Sequence, residues 1–415
     1  MQSLSAGVKS IPAILLNPFT YVALAMVIYG AWRQLTWERR LFGIRLHTLG
    51  ELVLQRVGKG LGVGLLLSLF LLVPGVTLAP HAFFFLWIFA LILALFGLRF
   101  LNFVYAGAWL GLLVLVTHWI EPPQYPWLEG LWASLKVIHL PALYLFIGLA
   151  TFIQGILIAW SRPQELSPVW IKGKRGKSVG GYQWQPVWFV PVLYAAEVGA
   201  PFFPHWEIPV FSAQAALPSI SGWPLLPTGS GGDYALFALP IVYSFQARIV
   251  ASTPQNYLRF SANWLAGFGF LLAVISLAAY RWSWLAIVAL LFSVAGFEGL
   301  HWVNRQRERK GQPAYVNPAQ GIKILAVIPG SPAAKMGIKP GEVVVKVNGM
   351  AVNQPGQLYE ALSKNKAFCK LEVTDSQGES RFPQCSLYED DHHQLGLILA
   401  PDDQGASKRK TVLMD

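Results

Sequence analysis

The stretch Val316–Met350 reads VNPAQGIKILAVIPGSPAAKMGIKPGEVVVKVNGM, and its punctuation decides one domain of the chain. Gly321 lies in a turn, and the apolar run 322–328 reads as a strand. A Pro-Gly turn follows. Ser331 then has the place of a helix N-cap, Pro332 the first helical position and Gly337 the C-cap. Pro340-Gly341 turns the chain into a second strand, 342–347, closed by Asn348-Gly349. Farther on, the pattern predicts a helix over 355–364 and strands near 368–375, 381–387 and 395–400. About 85 residues suffice for one small core.

Upstream the composition changes. The 415 residues are 54% hydrophobic and only 13% charged, against about 25% charged in soluble chains. The deficit is concentrated in residues 10–300, while 301–415 look soluble. The chain therefore divides into a transmembrane part (1–300), a basic hinge (301–314), a small domain (315–400) and a polar tail (401–415). A helix crosses about 30 Å of hydrocarbon in roughly 20 residues. That length predicts helical spans over 12–32, 61–80, 82–98, 100–120, 137–160, 186–205, 233–250, 262–280 and 282–300, eight or nine in all, the proline-broken 186–205 being the weakest. The first apolar run is too long for a cleaved signal and lacks a small-x-small site.

The +11 net charge follows the same alternation. The segments 33–60, 161–183 and 301–312, with Arg99, Arg248 and Arg259, put 18 cations on one face, against Lys9, Lys136 and Arg281 on the other. Cations stay on the cytoplasmic side during insertion. The small domain is expected there, in a multi-pass cell membrane protein, and the charge points to anionic lipids and not to nucleic acid. Tryptophans at span ends, such as Trp32, Trp160 and Trp302, are interfacial anchors.

The stretch Trp32–Gln55 places Leu35, Leu41, Phe42, Leu46, Leu49 and Leu52 at near-helical spacing around Arg39, Arg40 and Arg45. It reads as an amphipathic surface for an anionic leaflet or a partner. Intramembrane carboxylates are costly, which singles out Glu197 and Glu298; helix packing accounts for them better than transport does. No His-Glu-x-x-His, Gly-x-Ser-x-Gly or phosphate-cradling motif occurs, and Gly229–Asp233 lacks the lysine of a P-loop. The separation of Cys369 and Cys385 fits no zinc or redox signature. No catalytic set, metal site or cofactor is expected, and the protein does not read as an enzyme.

Val327-x-Pro-Gly-Ser-Pro-Ala-Ala-x-x-Gly-Ile-x-Pro-Gly-Glu-Val, followed by Val-x-Asn-Gly, closely resembles the bacterial type of PDZ domain, with Glu342 where aspartate is usual. The expected fold is an α-helical polytopic membrane bundle followed by a small α+β PDZ-like β-sandwich. The resemblance implies a peptide groove between strand 322–328 and helix 355–364. Ala319, Gln320, Gly321 and Ile322 would receive a carboxylate, residues 322–326, Lys323 among them, would pair with the ligand backbone, and Ile322, Ile324, Leu358 and Leu362 would line the pocket. A many-span domain followed by one PDZ domain, with Asn17-Pro-Phe-Thr-Tyr, Arg33, Glu38-Arg39-Arg40-Leu-Phe42 and Arg45, and later Tyr234-Ala-Leu-Phe-Ala-Leu-Pro, resembles the MinJ family of division determinants. That family implies a scaffold at septum and poles, bridging a DivIVA-type coiled-coil protein and a MinD-type ATPase, with peptide C-termini or internal strands at the groove and possible homo-oligomers. The rival readings are a transporter or channel with a regulatory PDZ domain, and a PDZ-linked protease or protease regulator.

Overall fold

The computed structural model describes residues 14–15, 17–43, 46–121, 125–172, 178–197, 215–216, 234–365, 367–375, 377–387 and 395–401. The membrane-domain helices are α1 (Pro18–Phe42), α2 (Leu49–Leu72), α3 (Pro80–Leu95), α4 (Phe103–Trp119), α5 (Pro126–Lys136), α6 (Leu140–Ala159), α7 (Pro254–Ala279) and α8 (Leu285–Lys310). Among the described residues, α2, α6, α7 and α8 are long and apolar enough to cross a membrane, and α3 and α4 are shorter apolar helices. Helices α6 and α7 are in backbone contact: a Cβ on Gly148 would stand 2.7 Å from the Ala273 nitrogen, and one on Gly155 2.7 Å from the Ala266 nitrogen. Small residues at such crossings are what bring membrane helices together.

Between α6 and α7 come β1 (Ser167–Lys172), β2 (Ser178–Trp184), β3 (Val187–Glu197), β4 (Ala215–Ala216), β5 (Tyr234–Ser244) and β6 (Ala247–Ile249). The expected helical spans 186–205 and 233–250 are thus corrected: their described parts are strands. β3 and β5 pair antiparallel over eleven residues each, from Val187↔Ser244 to Glu197↔Tyr234. The reason is local. The run Val-Trp-Phe-Val-Pro-Val-Leu-Tyr is β-branched and aromatic. Pro191 and Pro240, opposite each other in the register, would each break a helix.

This hairpin is buried inside the helical bundle. Backbone at membrane depth must be satisfied by protein, and the helices do this. Leu193 N donates to Ser68 Oγ at 2.8 Å, Trp87 Nε1 to the Pro240 carbonyl at 3.0 Å, and Gln154 Nε2 to the Ser244 carbonyl at 3.2 Å. The outer edge of β3 lies on a glycine face of α2: a Cβ on Gly60 would stand 1.7 Å from the Phe189 carbonyl oxygen, and one on Gly64 2.2 Å from that of Pro191. Eleven extended residues span about 36 Å, so the hairpin is as long as the hydrocarbon is thick.

The strands continue past the bundle. β2 leads into β3 through Pro186, and β5 into β6; β2 pairs with β6 through Tyr182↔Ile249, Gln183↔Arg248 and Trp184↔Ala247. One two-stranded ribbon therefore runs from Tyr182 to Glu197 and back from Tyr234 to Ile249. β1 pairs with β2 on its other side and completes a three-stranded juxtamembrane sheet.

The C-terminal domain contains β7 (Ile322–Val327), α9 (Pro332–Lys335), β8 (Val343–Val347), β9 (Met350–Ala351), α10 (Pro355–Lys364), β10 (Phe368–Thr374), β11 (Ser380–Arg381), β12 (Gln384–Ser386) and β13 (Leu397–Leu399). Ser331 caps α9, its side chain accepting from Ala334 N, and Gly337, Gly341 and Gly349 have φ of 68°, 95° and 84°. The sheet runs β11-β10-β8-β7-β13. Glu342, 7% exposed, accepts from Lys339 N at 2.9 Å and meets Arg381 Nη2 at 2.6 Å. Removing a buried charged acceptor costs about 1.5–3 kcal/mol. Glu342→Ala is expected to lower the domain's thermal midpoint by several degrees, read by circular dichroism.

Candidate functional site

The expected groove edge on β7 is corrected, because both sides of that strand are occupied. Ile322 and Lys323 pair with Val344 and Val343 of β8, while Val327, Ala326 and Ile324 pair with Leu397, Ile398 and Leu399 of β13. Ile322 and Ile324 are fully buried in the domain core. Lys323 N donates to Asn317 Oδ1 at 3.0 Å, and Gly321 N donates to Asn353 Oδ1 at 2.9 Å. Ala319 and Gln320 are exposed in the turn before β7. A ligand strand has no place to pair at 322–324, and the Gly321 amide is already engaged.

Beyond β7, β13 ends the sheet on this side among the described residues. Ile328 N donates to the Gly396 carbonyl at 2.8 Å and Ala400 N to the Lys323 carbonyl at 2.9 Å. By the alternation of an antiparallel ladder, the backbone groups of Leu397 and Leu399 then point away from β7. The turn leading in has two successive left-handed residues, Leu395 (φ 54°) and Gly396 (φ 76°). The side chains of Leu397 and Leu399 share one core with Leu358 and Leu362 of α10. Of the eight expected groove residues, Leu358 and Leu362 keep a place beside the open strand. Leu397 and Leu399 were not among the expected residues, although the apolar Leu-Gly-Leu-Ile-Leu run at 395–399 marks a strand there.

The domain is seated on the juxtamembrane sheet. Gly180 N donates to the Tyr315 carbonyl at 3.0 Å, Ala314 N to the Val250 carbonyl at 2.8 Å, and the Tyr182 hydroxyl to the Leu325 carbonyl. Tyr182 and Tyr315 meet edge-on at 5.2 Å. Glu308 Oε2, near the end of α8, accepts from Val250 N at 2.7 Å and Ala251 N at 2.6 Å. Leu325, Ala326 and Ile398 belong to the apolar core of the membrane domain, while their neighbours Ile324, Leu397 and Leu399 belong to that of the small domain.

The stretch Trp32–Gln55 is not one amphipathic helix. Gly43 (φ 72°) caps α1, and Thr48 caps α2 by accepting from Glu51 N at 3.2 Å. Arg39 and Arg40 are exposed on the last turn of α1, and Arg45 lies outside the described residues. Below them is a buried polar cluster. Glu38, fully buried, has His47 Nδ1 at 2.9 Å and accepts from Ser167 Oγ at 2.7 Å and Leu46 N at 3.0 Å. Arg56 Nη2 donates to Gln34 Oε1 at 2.6 Å, and Lys59 Nζ pairs with Glu165 Oε1 at 2.5 Å. Burial alone would raise the Glu38 carboxyl, but the hydrogen bond and charge of His47, with the hydrogen bonds from Ser167 and Leu46, together outweigh it and hold the group below the usual range. Burial alone would lower His47, and Glu38 in turn raises it above its ordinary value.

Glu298, its side chain partly exposed, pairs with Arg99 Nη2 and accepts from the Tyr105 hydroxyl. Glu197 is the last residue of β3, opposite Tyr234. Cys369 and Cys385 face each other across β10 and β12 as free thiols, and burial pushes Cys369 up to about 12. Among the described residues no group of three His, Cys, Asp or Glu could hold a metal ion. His392, His393 and Gly229–Gly232 lie outside them.

The PDZ domain family matches residues 323–373. The cell division topological determinant MinJ of Bacillus subtilis is 28% identical over 399 residues, covering 95% of this chain and 95% of that protein. The chain resembles MinJ from end to end. A probable MinJ of Lacticaseibacillus paracasei is 26% identical over 94% of this chain and 98% of its own length. The MinJ likeness thus takes in both the bundle with its ribbon and the PDZ domain. By contrast, a putative serine protease HhoB of Synechocystis matches over 88 residues, 20% of the chain.

Proposed function

We propose that the protein is a membrane scaffold of division-site selection, carrying peptide or strand ligands on β13 and α10 of its cytoplasmic PDZ domain. The observation that carries this reading is the MinJ likeness across the membrane domain and the PDZ domain together. On this reading the scaffold bridges a DivIVA-type coiled-coil protein at poles and septa to a MinD-type ATPase. The orientation argument survives the replacement of two helices by a hairpin, because a hairpin as long as the hydrocarbon goes out and returns like a helix pair. The cations Arg39, Arg40, Arg162, Arg248, Arg259 and Arg305, all exposed, then face the cytoplasm and the anionic lipid headgroups of that leaflet.

The test is fluorescence localisation of the tagged full-length chain in growing rod-shaped cells, with cell length scored in a deletion strain. Enrichment at septa and poles, with long or minicelling mutants, is the expected result. Uniform membrane signal with normal division would sink the scaffold reading.

A further inference from the structure

The pairing of β7 with β13 carries an irregularity. Ala326 pairs with Ile398 and Ile324 with Leu399, so Leu325 is an extra residue in β7, a β-bulge. Bulges bend a strand and re-aim the residues around them, and their extra residue is left outside the ladder. Here the Leu325 carbonyl accepts the Tyr182 hydroxyl. The Leu325 side chain, fully buried, lies against the ribbon, where a Cβ on Gly180 would stand 3.0 Å from its Cδ1. The bulge that shapes β13 is therefore held by β2, a strand of the membrane domain and not of the PDZ domain.

The same seam passes through β13. Ile398 packs into the membrane-domain core, and its neighbours Leu397 and Leu399 pack into the PDZ core. Three residues cannot change register without withdrawing Ile398 from one core or both leucines from the other. Tyr182 lies on the ribbon that crosses the bundle as β3 and β5. Its neighbour Gln183 and its partner Ile249 continue that ribbon toward the hairpin.

We propose that Tyr182 is a positioning residue for the peptide-binding edge: its hydroxyl holds the Leu325 bulge, and so ties the register of β13 to the transmembrane ribbon. This rests on the reading of β13 as the ligand edge. In consequence the membrane domain sets the geometry of the groove, and a strand added to β13 acts back on the ribbon. The PDZ domain is a docked part of the membrane domain, with its open edge held in a fixed orientation.

The test is hydrogen exchange on the full-length protein in lipid nanodiscs, comparing wild type with Tyr182→Phe, which keeps the ring against Tyr315 and deletes one hydroxyl. Exchange is expected to quicken about tenfold in 324–328 and 396–400, with 344–347 and 369–373 unchanged. Unchanged exchange in 396–400 would overturn the proposal. So would equal acceleration through 369–373, which would mark general loosening of the domain. Gly180→Ala loosens the same seam from the ribbon side and is expected to give the same local pattern; acceleration confined to 178–184 would also overturn it. No ligand enters this measurement, so its failure is distinct from failure of the localisation test.

Discussion

Alanine at both Gly60 and Gly64 is expected to prevent the membrane domain from folding. Alanine is ordinarily the better helix former by about 1 kcal/mol, and on the open side of α2 that preference would hold. On the hairpin side the added methyls would overlap carbonyl oxygens, at 1.7 Å for Phe189 and 2.2 Å for Pro191. These are backbone atoms and cannot rotate aside. The strand would have to leave the helix, breaking the bond from Leu193 N to Ser68 Oγ and leaving a strand edge unsatisfied in hydrocarbon. Ordinary overpacking costs about 1–3 kcal/mol; two backbone overlaps exceed that range and consume most of a typical domain's stability of about 5–15 kcal/mol. Gly58→Ala is the control, because a Cβ there meets nothing within 4 Å. It is expected to be neutral or slightly stabilising. Thermal unfolding of the purified protein and its yield in membranes measure the contrast; equal behaviour of the double variant and the control would mean that α2 and β3 are not in contact.

The PDZ part was legible because its turns are written locally. Ser331, Pro332, Gly337, Gly341 and Asn348-Gly349 each act within a few residues of themselves, and the helix expected over 355–364 forms at Pro355–Lys364. What the sequence did not reveal is non-local. Whether β7 has a free edge depends on β13, some seventy residues on, and short apolar runs carry no mark of their partner. The hairpin was hidden for a second reason. Apolar runs in a bilayer are read by length and hydropathy, and both measures are blind to the difference between strand and helix. The available signals were Pro191 and Pro240, the β-branched and aromatic composition around them, and the Gly-x-x-x-Gly spacing of Gly60 and Gly64. Only together do they specify a strand on a glycine face. Gly43 and the Thr48-x-x-Glu51 pattern were likewise present to divide Trp32–Gln55, but the near-helical spacing of the leucines masked them.

Glu38→Ala is expected to cost about 3–5 kcal/mol, the penalty for breaking a buried ion pair and leaving its partner charged. The carboxylate gathers three donors from two distant parts of the chain: His47 and Leu46 in the α1–α2 turn, and Ser167 at the start of β1. Without it, Arg56 and Lys59 share Glu165 as their remaining buried counter-charge. The pH dependence has a definite sign. Glu38 is depressed from 4.5, so its contribution is present above that pH and lost as acid titrates it. His47 is raised from 6.5, so its contribution is complete below 6.5 and lost as pH rises through the raised value. The pair is therefore most stabilising between about 4.5 and 6.5. Wild-type thermal midpoints should fall on either side of that window, and Glu38→Gln, which keeps the shape without the charge, should flatten the curve. A variant that keeps the wild-type pH profile would show that the pair does not couple folding to protons. Because Ser167 begins β1, and β1 pairs with the strand that carries Tyr182, loss of Glu38 also loosens the sheet on which the PDZ domain sits. Exchange in 178–184 should therefore quicken in Glu38→Ala ahead of global unfolding, which distinguishes a keystone between α1, α2 and the juxtamembrane sheet from a contact local to the α1–α2 turn.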